Sequence, residues 1–109
     1  MSWQVSYLPE ALDDFRRLDG SQKLLVRKAV NKVSQNPLPE SEGGYGKPLG
    51  NKNEKKLSGF LKIKLRGAGL RLVYKLIRQD ENMLIIVIGV REDEEVYGAA
   101  DKRAKKYGL

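Results

Sequence analysis

The sequence predicts an α+β fold in which one small sheet packs with three helices. Three observations support this class. Apolar residues alternate with polar ones near the N-terminus and again after residue 59, as in strands. Apolar residues recur at helical spacing in two segments between residues 9 and 36, and in a third segment near the C-terminus. The chain has 109 residues, the size of one compact domain, and 40% of them are hydrophobic. We therefore expect a single domain over residues 1–109, in the order βααβββα, with an N-terminal helical hairpin packed on a mostly antiparallel sheet.

The N-terminal third predicts one strand followed by two helices. Apolar and polar residues alternate over residues 2–7, which is the period of a half-buried strand. Pro9 ends this pattern and suits the first position of a helix, and the apolar stripe that follows stops at Gly20. Ser21 is expected to cap a second helix, which ends before Pro37. The two helices are expected to form an antiparallel hairpin.

The second half of the chain predicts three strands and a short helix. Residues 37–59 are rich in Pro, Gly, Asn, Lys and Glu, so we expect a long irregular connection there. The next two strands are amphipathic, and only one register brings their apolar faces together. That register pairs Leu65 with Leu70, Ile63 with Leu72, Leu61 with Tyr74 and Lys64 with Arg71. Residues 83–88 are apolar on both faces, which predicts an interior strand covered on both sides.

Charge and composition restrict the function. Twenty-one Lys and Arg residues against fourteen Asp and Glu give a net charge of +7, which favours a polyanionic partner such as nucleic acid. The absence of cysteine and histidine excludes thiolate nucleophiles, the usual general base and the common zinc sites. We expect no cofactor and no metal. Because the sequence has neither a signal-peptide pattern nor an apolar run of about 18 residues, we expect a cytoplasmic protein without membrane contact.

The candidate site lies on one face of the first two late strands. Lys62, Lys64 and Arg66 alternate with apolar residues, and Arg71 lies across from Lys64 in the expected register. Like charges opposite each other on a sheet repel, so this face is expected to hold an anion. RNA cleavage needs an activated 2′-hydroxyl, charge stabilisation at the phosphate and assistance at the departing 5′-oxygen. Lysines and arginines can supply all three without histidine or metal.

Two further residues extend this candidate site. Arg91, just after the last strand, is placed to lie beside the cationic face, and Tyr97 is placed to stack on an RNA base. Other interpretations stay open for each residue. The cations fit an ordinary solvated sheet face, Arg91 fits an ion pair with neighbouring glutamates, and Tyr97, like Tyr74, fits a core aromatic. The C-terminal Lys102 and Lys105 fit either a helix dipole or a phosphate contact.

Residues 61–74 (LKIKLRGAGLRLVY), followed by 87–91 (VIGVR) and 95–97 (EVY), resemble the RelE toxins of bacterial and archaeal toxin-antitoxin modules. The order of elements is similar over almost the whole chain, and residues 37–59 are the least family-like part. The resemblance implies the RelE/ParE fold and an endoribonuclease that enters the ribosomal A site and cuts mRNA, leaving a 2′,3′-cyclic phosphate. It also implies a RelB-like antitoxin, through which the toxin-antitoxin complex binds operator DNA.

The resemblance also implies roles for the site residues. Lys62 and Lys64 match the family's paired lysines, associated with base action and phosphate neutralisation, and Arg71 matches the arginine that stabilises the transition state. Arg91 matches a residue associated with the leaving group, and Tyr97 one associated with base stacking. Because arginine is a poor proton donor in water, we expect Arg91 to assist electrostatically. The expected auxiliary and peripheral RNA contacts are Arg66, Lys75, Lys102 and Lys105.

Two other functions stay open at this point. A ParE-like inhibitor of DNA gyrase is suggested only by the shared superfamily fold, and ParE relatives usually lack the basic and tyrosine set. A basic RNA-binding module without catalysis is the simplest interpretation of the cationic face. A subgroup of relatives that uses histidine and glutamate as acid and base is disfavoured, since the chain has no histidine.

Overall fold

The computed structural model of the chain describes residues 2–52, 55–90 and 93–109. Its helices and strands, in chain order, are β1 (Gln4–Tyr7), α1 (Pro9–Arg16), α2 (Gly20–Val33), β2 (Lys47–Lys52), β3 (Lys55–Leu65), β4 (Leu70–Ile77), β5 (Asn82–Gly89) and α3 (Asp93–Lys106). The predicted α+β class is confirmed. None of the helices in these ranges is long and apolar enough to cross a lipid bilayer.

The strands form one mixed sheet in the order β1-β5-β4-β3-β2. β1 runs parallel to β5, and the other neighbouring pairs are antiparallel, as predicted for a mostly antiparallel sheet. The predicted register of β3 and β4 is confirmed at all four pairs, including Lys64 opposite Arg71. β5 lies between β1 and β4, and most of its side chains are buried on both faces. The prediction of an interior, doubly covered strand is therefore confirmed.

The predicted element order is wrong by one strand. Residues 37–59 are not irregular throughout: they contain a 3-10 turn at Glu40–Glu42 and all of β2, and β3 already begins at Lys55. β2 has the sequence KPLGNK and, among the described strands, only β3 beside it. Proline, glycine and lysine are tolerated in such an edge strand, because only one of its sides must supply ladder hydrogen bonds. The strand therefore lacks the apolar alternation by which strands are recognised.

The start of α2 also differs from the prediction. Asp19, not Ser21, is the N-cap: its carboxylate accepts the backbone N–H of Gln22 at 2.8 Å, and the Gln22 side chain accepts the backbone N–H of Asp19 at 3.0 Å. This reciprocal capping box satisfies two backbone donors of the first turn. The Ser21 hydroxyl instead donates to the Asp19 carboxylate at 2.7 Å. α1 begins at Pro9, as predicted.

The core lies between the sheet and the helices. Side chains of both sheet faces are buried, for example Leu72 and Tyr74 on one face of β4 and Val73 on the other. α2 contacts β3, α1 contacts β5, and α3 packs across β3, β4 and β5. The buried Tyr74 hydroxyl donates to the carbonyl of Pro37 at 2.8 Å, which ties the start of the 37–46 segment to the sheet. Burial raises the pKa of Tyr74, so its hydroxyl stays protonated as this donor.

Helix α1 also holds the C-terminal end of α3. The Glu10 carboxylate accepts hydrogen bonds from the Tyr107 hydroxyl at 2.8 Å and from the Lys106 ammonium at 3.0 Å. These two bonds lower the pKa of Glu10 from its ordinary value of 4.5 to about 2. Because the folded pKa is lowered, the stabilisation is complete above the ordinary pKa and is lost as the pH falls through about 2.

We expect an NMR titration of the Glu10 carboxyl carbon to show a midpoint near 2. The difference in unfolding free energy between the wild type and Glu10→Gln should be constant near neutral pH and should shrink as the pH falls below the ordinary carboxyl pKa. A midpoint close to 4.5 would mean that Glu10 does not hold α3 in solution.

Candidate active site

The β3–β4 hairpin places three cations on one sheet face. Lys64 lies directly opposite Arg71, and Lys62 lies two residues earlier on β3, opposite Val73. Residues two apart on a strand point to the same side and are about 6.6 Å apart along it. All three cationic side chains are partly exposed. The alternation of β3 therefore directs Leu61 and Ile63 to one face of the sheet and Lys62 and Lys64 to the other.

The turn between β3 and β4 brings a fourth cation close. Residues Arg66–Ala68 form a 3-10 turn that ends at Gly69, whose φ of +66° lies in the left-handed region favoured by glycine. This turn leaves Arg66 exposed at the end of the hairpin. A cleft of about 290 Å³ lies here, lined by Lys64, Leu65, Arg66, Gly69, Leu70 and Arg71. Three of its lining residues are cations and none carries a carboxylate, which suits a phosphate group.

Lys47 extends the cationic face and is not among the residues predicted from the sequence. It lies on β2 directly opposite Lys62, so it shares the face of Lys62 and Lys64, and it is exposed. The neighbouring strands thus carry Lys47, Lys62, Lys64 and Arg71 on one surface. Only the strand pairing reveals this, because β2 shows no alternation in the sequence. Its position beside Lys62 suits a phosphate group.

The other predicted RNA contacts lie on β4 and α3. The Lys75 ammonium lies 5.0 Å from the centre of the Phe60 ring, within the range of a cation–π contact. Lys102 is exposed on α3. Lys105, also exposed, forms an ion pair of 3.2 Å with Asp101 one helical turn earlier. Such an exposed helix pair stabilises weakly and leaves the lysine accessible.

Arg91 lies outside the described residues. The strand that leads to it ends at Gly89, which is paired with Arg71. The described backbone therefore approaches the cationic face two residues before Arg91, and the role of Arg91 stays a prediction.

Tyr97 lies in the core and not on an open surface. Its side chain is only 4% exposed, and its hydroxyl oxygen is buried. In this arrangement the ring is not accessible to an RNA base, and its burial favours the core interpretation that the sequence left open. Base stacking by Tyr97 stays a prediction that requires the ring to be uncovered when RNA binds.

The described residues contain no cluster of His, Cys, Asp or Glu side chains that could hold a metal ion. What the cationic face offers instead is a row of ammonium and guanidinium groups. Such groups bind a phosphate, stabilise additional charge on its oxygens and, in the case of lysine, exchange a proton. The arrangement is therefore suited to phosphodiester chemistry.

Comparison with known proteins agrees with this chemistry. No protein-family model matches the sequence. The chain is 31% identical over 103 residues to the mRNA interferase toxin RelE of Escherichia coli K12, covering 94% of this chain and 98% of that protein. A free-state structure of a mutant E. coli toxin RelE superposes with a TM-score of 0.74 at 30% identity, covering 94% and 98% of the two chains.

A second solved structure contains a partner. The toxin chain of the intact E. coli RelBE toxin-antitoxin complex superposes with a TM-score of 0.64 at 26% identity, covering 84% of this chain and 99% of that one. Both the identity to RelE and the agreement in fold extend over nearly the whole chain. The chain therefore belongs to the RelE family of toxins, within the RelE/ParE superfamily.

Proposed function

We propose that this protein is the toxin of a type II toxin-antitoxin module and a ribosome-dependent endoribonuclease that cleaves mRNA in the A site. The observation that carries the proposal is the strand pairing that brings Lys62, Lys64 and Arg71 onto one face, in a chain of the RelE family. The E. coli K12 relative is named an mRNA interferase, which favours cleavage over the gyrase-inhibitor and binding-module alternatives. The proposed toxin domain spans residues 1–109.

The cationic face can promote cleavage by the RNA's own 2′-hydroxyl. One of the two lysines, in its neutral amine form, accepts the 2′-hydroxyl proton, and the 2′-oxygen attacks the adjacent phosphorus. The bond from phosphorus to the 5′-oxygen breaks, and that oxygen takes up a proton from water, so the products are a 2′,3′-cyclic phosphate and a 5′-hydroxyl. The other lysine and the planar fork of Arg71 stabilise the extra negative charge on the phosphoryl oxygens.

The remaining residues of the site have supporting roles in this proposal. Arg91 assists the leaving 5′-oxygen electrostatically, and Tyr97 holds the neighbouring base once it is uncovered. Arg66 and Lys47 lie at the border of the same face and contact flanking phosphates. The peripheral cations Lys75, Lys102 and Lys105 contribute to ribosome or mRNA association, which long-range electrostatic attraction accelerates.

A cognate antitoxin completes the proposal. The RelE chain of the solved E. coli complex is bound to RelB. The net charge of +7 favours a RelB-like antitoxin that is acidic in its toxin-binding segment. This antitoxin covers the cationic face or displaces α3, and the complex binds operator DNA through it. Such a toxin acts in the cytoplasm, where the ribosome is.

The proposal is tested by mapping mRNA 5′ ends after induction of the toxin. We expect new ends at defined codon positions within translated regions, and none in the same transcript when its start codon is removed. An Arg71→Ala variant, expressed at the same level, is the matched control and should give no such ends. Cleavage that does not depend on translation would indicate a free ribonuclease. Arrest without cleavage, with loss of gyrase supercoiling activity, would indicate the ParE-like alternative.

A further inference from the structure

A largely buried ion pair joins α1 to α3. The Arg103 guanidinium holds the Asp14 carboxylate with two hydrogen bonds, from Nη1 to Oδ2 at 2.7 Å and from Nη2 to Oδ1 at 3.2 Å. The two side chains are 19% and 10% exposed. Neither residue belongs to the machinery proposed above.

The same two side chains also bind the backbone of β5. Asp14 Oδ2 accepts the N–H of Ile88 at 3.0 Å, and Arg103 Nη1 donates to the carbonyl of Ile86 at 3.0 Å. The pairing of β1 with β5 ends at Tyr7, opposite Ile85. Beyond that point, Asp14 and Arg103 supply the acceptor and the donor that a longer β1 would have supplied. Buried backbone groups left without such partners would be costly.

The bound carbonyl belongs to a β-bulge. Val73 and Tyr74 of β4 are consecutive, but their partners on β5 are Val87 and Ile85, so Ile86 is the extra residue. A bulge changes the direction of its strand and redirects the residues that follow. Here the residues that follow lead to Gly89, opposite Arg71 on the cationic face. The ion pair therefore binds β5 at the bulge, and the bulge sets the direction of the last residues of the strand.

On the side that faces α1, helix α3 borders an open cleft. The cleft of about 350 Å³ lies between α1, the end of β5 and α3, and Asp14 and Arg103 are part of its lining. The buried side chains of α3, among them Tyr97 and Ala100, belong to its packing on the sheet, whereas hydrogen bonds join α3 to α1. The bonds of Asp14 and Arg103, together with those from Glu10 to Lys106 and Tyr107, therefore connect α1 to the C-terminal half of α3.

We propose that Asp14 and Arg103 are positioning residues, which fix the end of β5 and helix α3 in the arrangement that mRNA cleavage requires. The part of this inference that concerns mRNA cleavage rests on the proposed function. The part that concerns the backbone of β5 does not. It makes a specific demand on position 14, where the side chain must accept a backbone N–H as well as carry a negative charge. A charge pair of reversed polarity cannot meet that demand.

The test combines backbone amide exchange with single-turnover cleavage on purified ribosomes. In Asp14→Ala we expect exchange of the Ile88 amide to accelerate at least about tenfold, since it loses a charge-assisted bond. The cleavage rate at saturating ribosome should fall at least about tenfold, while ribosome affinity changes by less than about twofold. Asp14→Asn, which keeps one acceptor oxygen, serves as the milder variant if the alanine variant does not fold.

Two further variants separate positioning from general stabilisation. Glu42→Gln removes the exposed Glu42–Arg78 ion pair of 2.8 Å, which lies at the turn before β5, at the other end of that strand from Ile88, and should leave both readouts unchanged. The double variant Asp14→Arg/Arg103→Asp restores opposite charges but not the acceptor for Ile88, and it should stay defective. Full rescue by the double variant, or unchanged cleavage in Asp14→Ala, would overturn the proposal. Absence of translation-dependent cleavage in the wild type would overturn the proposed function. In that case amide exchange still tests the structural role of Asp14, and unchanged exchange at Ile88 in Asp14→Ala would overturn that role.

Discussion

Replacing Arg71 by alanine is expected to lower the single-turnover rate of mRNA cleavage by about two to three orders of magnitude, the usual effect of removing one donor to a developing oxyanion. Arg71 lies opposite Lys64 and lines the cationic cleft at the end of the hairpin. Its contribution is made in the transition state, so the affinity for the ribosome should change little. Lys62→Ala and Lys64→Ala should behave in the same way.

The peripheral cations supply the control for this prediction. Lys102→Ala should leave the rate at saturating ribosome unchanged, weaken association modestly and reduce its salt dependence by about one phosphate contact. Arg71→Lys keeps the charge but not the planar fork, and we expect only partial recovery of the rate. If Arg71→Ala and Lys102→Ala both reduced affinity without a specific loss of rate, the cationic face would be a binding surface and not a catalytic one.

Replacing Tyr97 by alanine is expected to lower the free energy of unfolding by about 3–5 kcal/mol, the range for truncating a buried aromatic side chain. The basis is its burial: Tyr97 is 4% exposed and packs in the core together with Val96 and Ala100 of α3. A chemical denaturation curve measures the change. A loss below about 1 kcal/mol would mean that the ring is largely exposed in solution. If Tyr97→Ala is destabilised as expected, a loss of cleavage in this variant informs on catalysis only when the protein is shown to be folded.

Two milder variants of Tyr97 address its role in cleavage. Tyr97→Phe keeps the ring and removes the hydroxyl, whereas Tyr97→Leu keeps much of the apolar volume and removes the ring. If Tyr97 stacks on an mRNA base, the Phe variant should retain most of the cleavage rate and the Leu variant should lose about tenfold or more, in line with the stacking energy of one base. Equal rates in the two folded variants would make Tyr97 a core residue only.

The sequence by itself determined the parts of this protein that have local or strictly periodic causes. Pro9 marks the start of α1, and the alternation over residues 60–77 permits only one register of β3 and β4. A slip by one residue would turn every apolar side chain of a strand to the other face, so burial selects that register strongly. The opposition of Lys64 and Arg71, the centre of the candidate site, follows from it.

Only the tertiary structure decided the features that depend on elements far apart in the chain. β2 was missed, and Lys47 with it, because this edge strand, KPLGNK, contributes only Leu49 to the core among its described side chains, and one apolar residue makes no alternation. Tyr97 fitted both a stacking platform and a core residue until the docking of α3 buried its ring. Asp14 and Arg103 are 89 residues apart and share no pattern. Their pairing depends on where β1 ends beside β5. The buried backbone groups of β5 beyond that point need hydrogen-bond partners, and the fold supplies them from residues that are distant in the sequence.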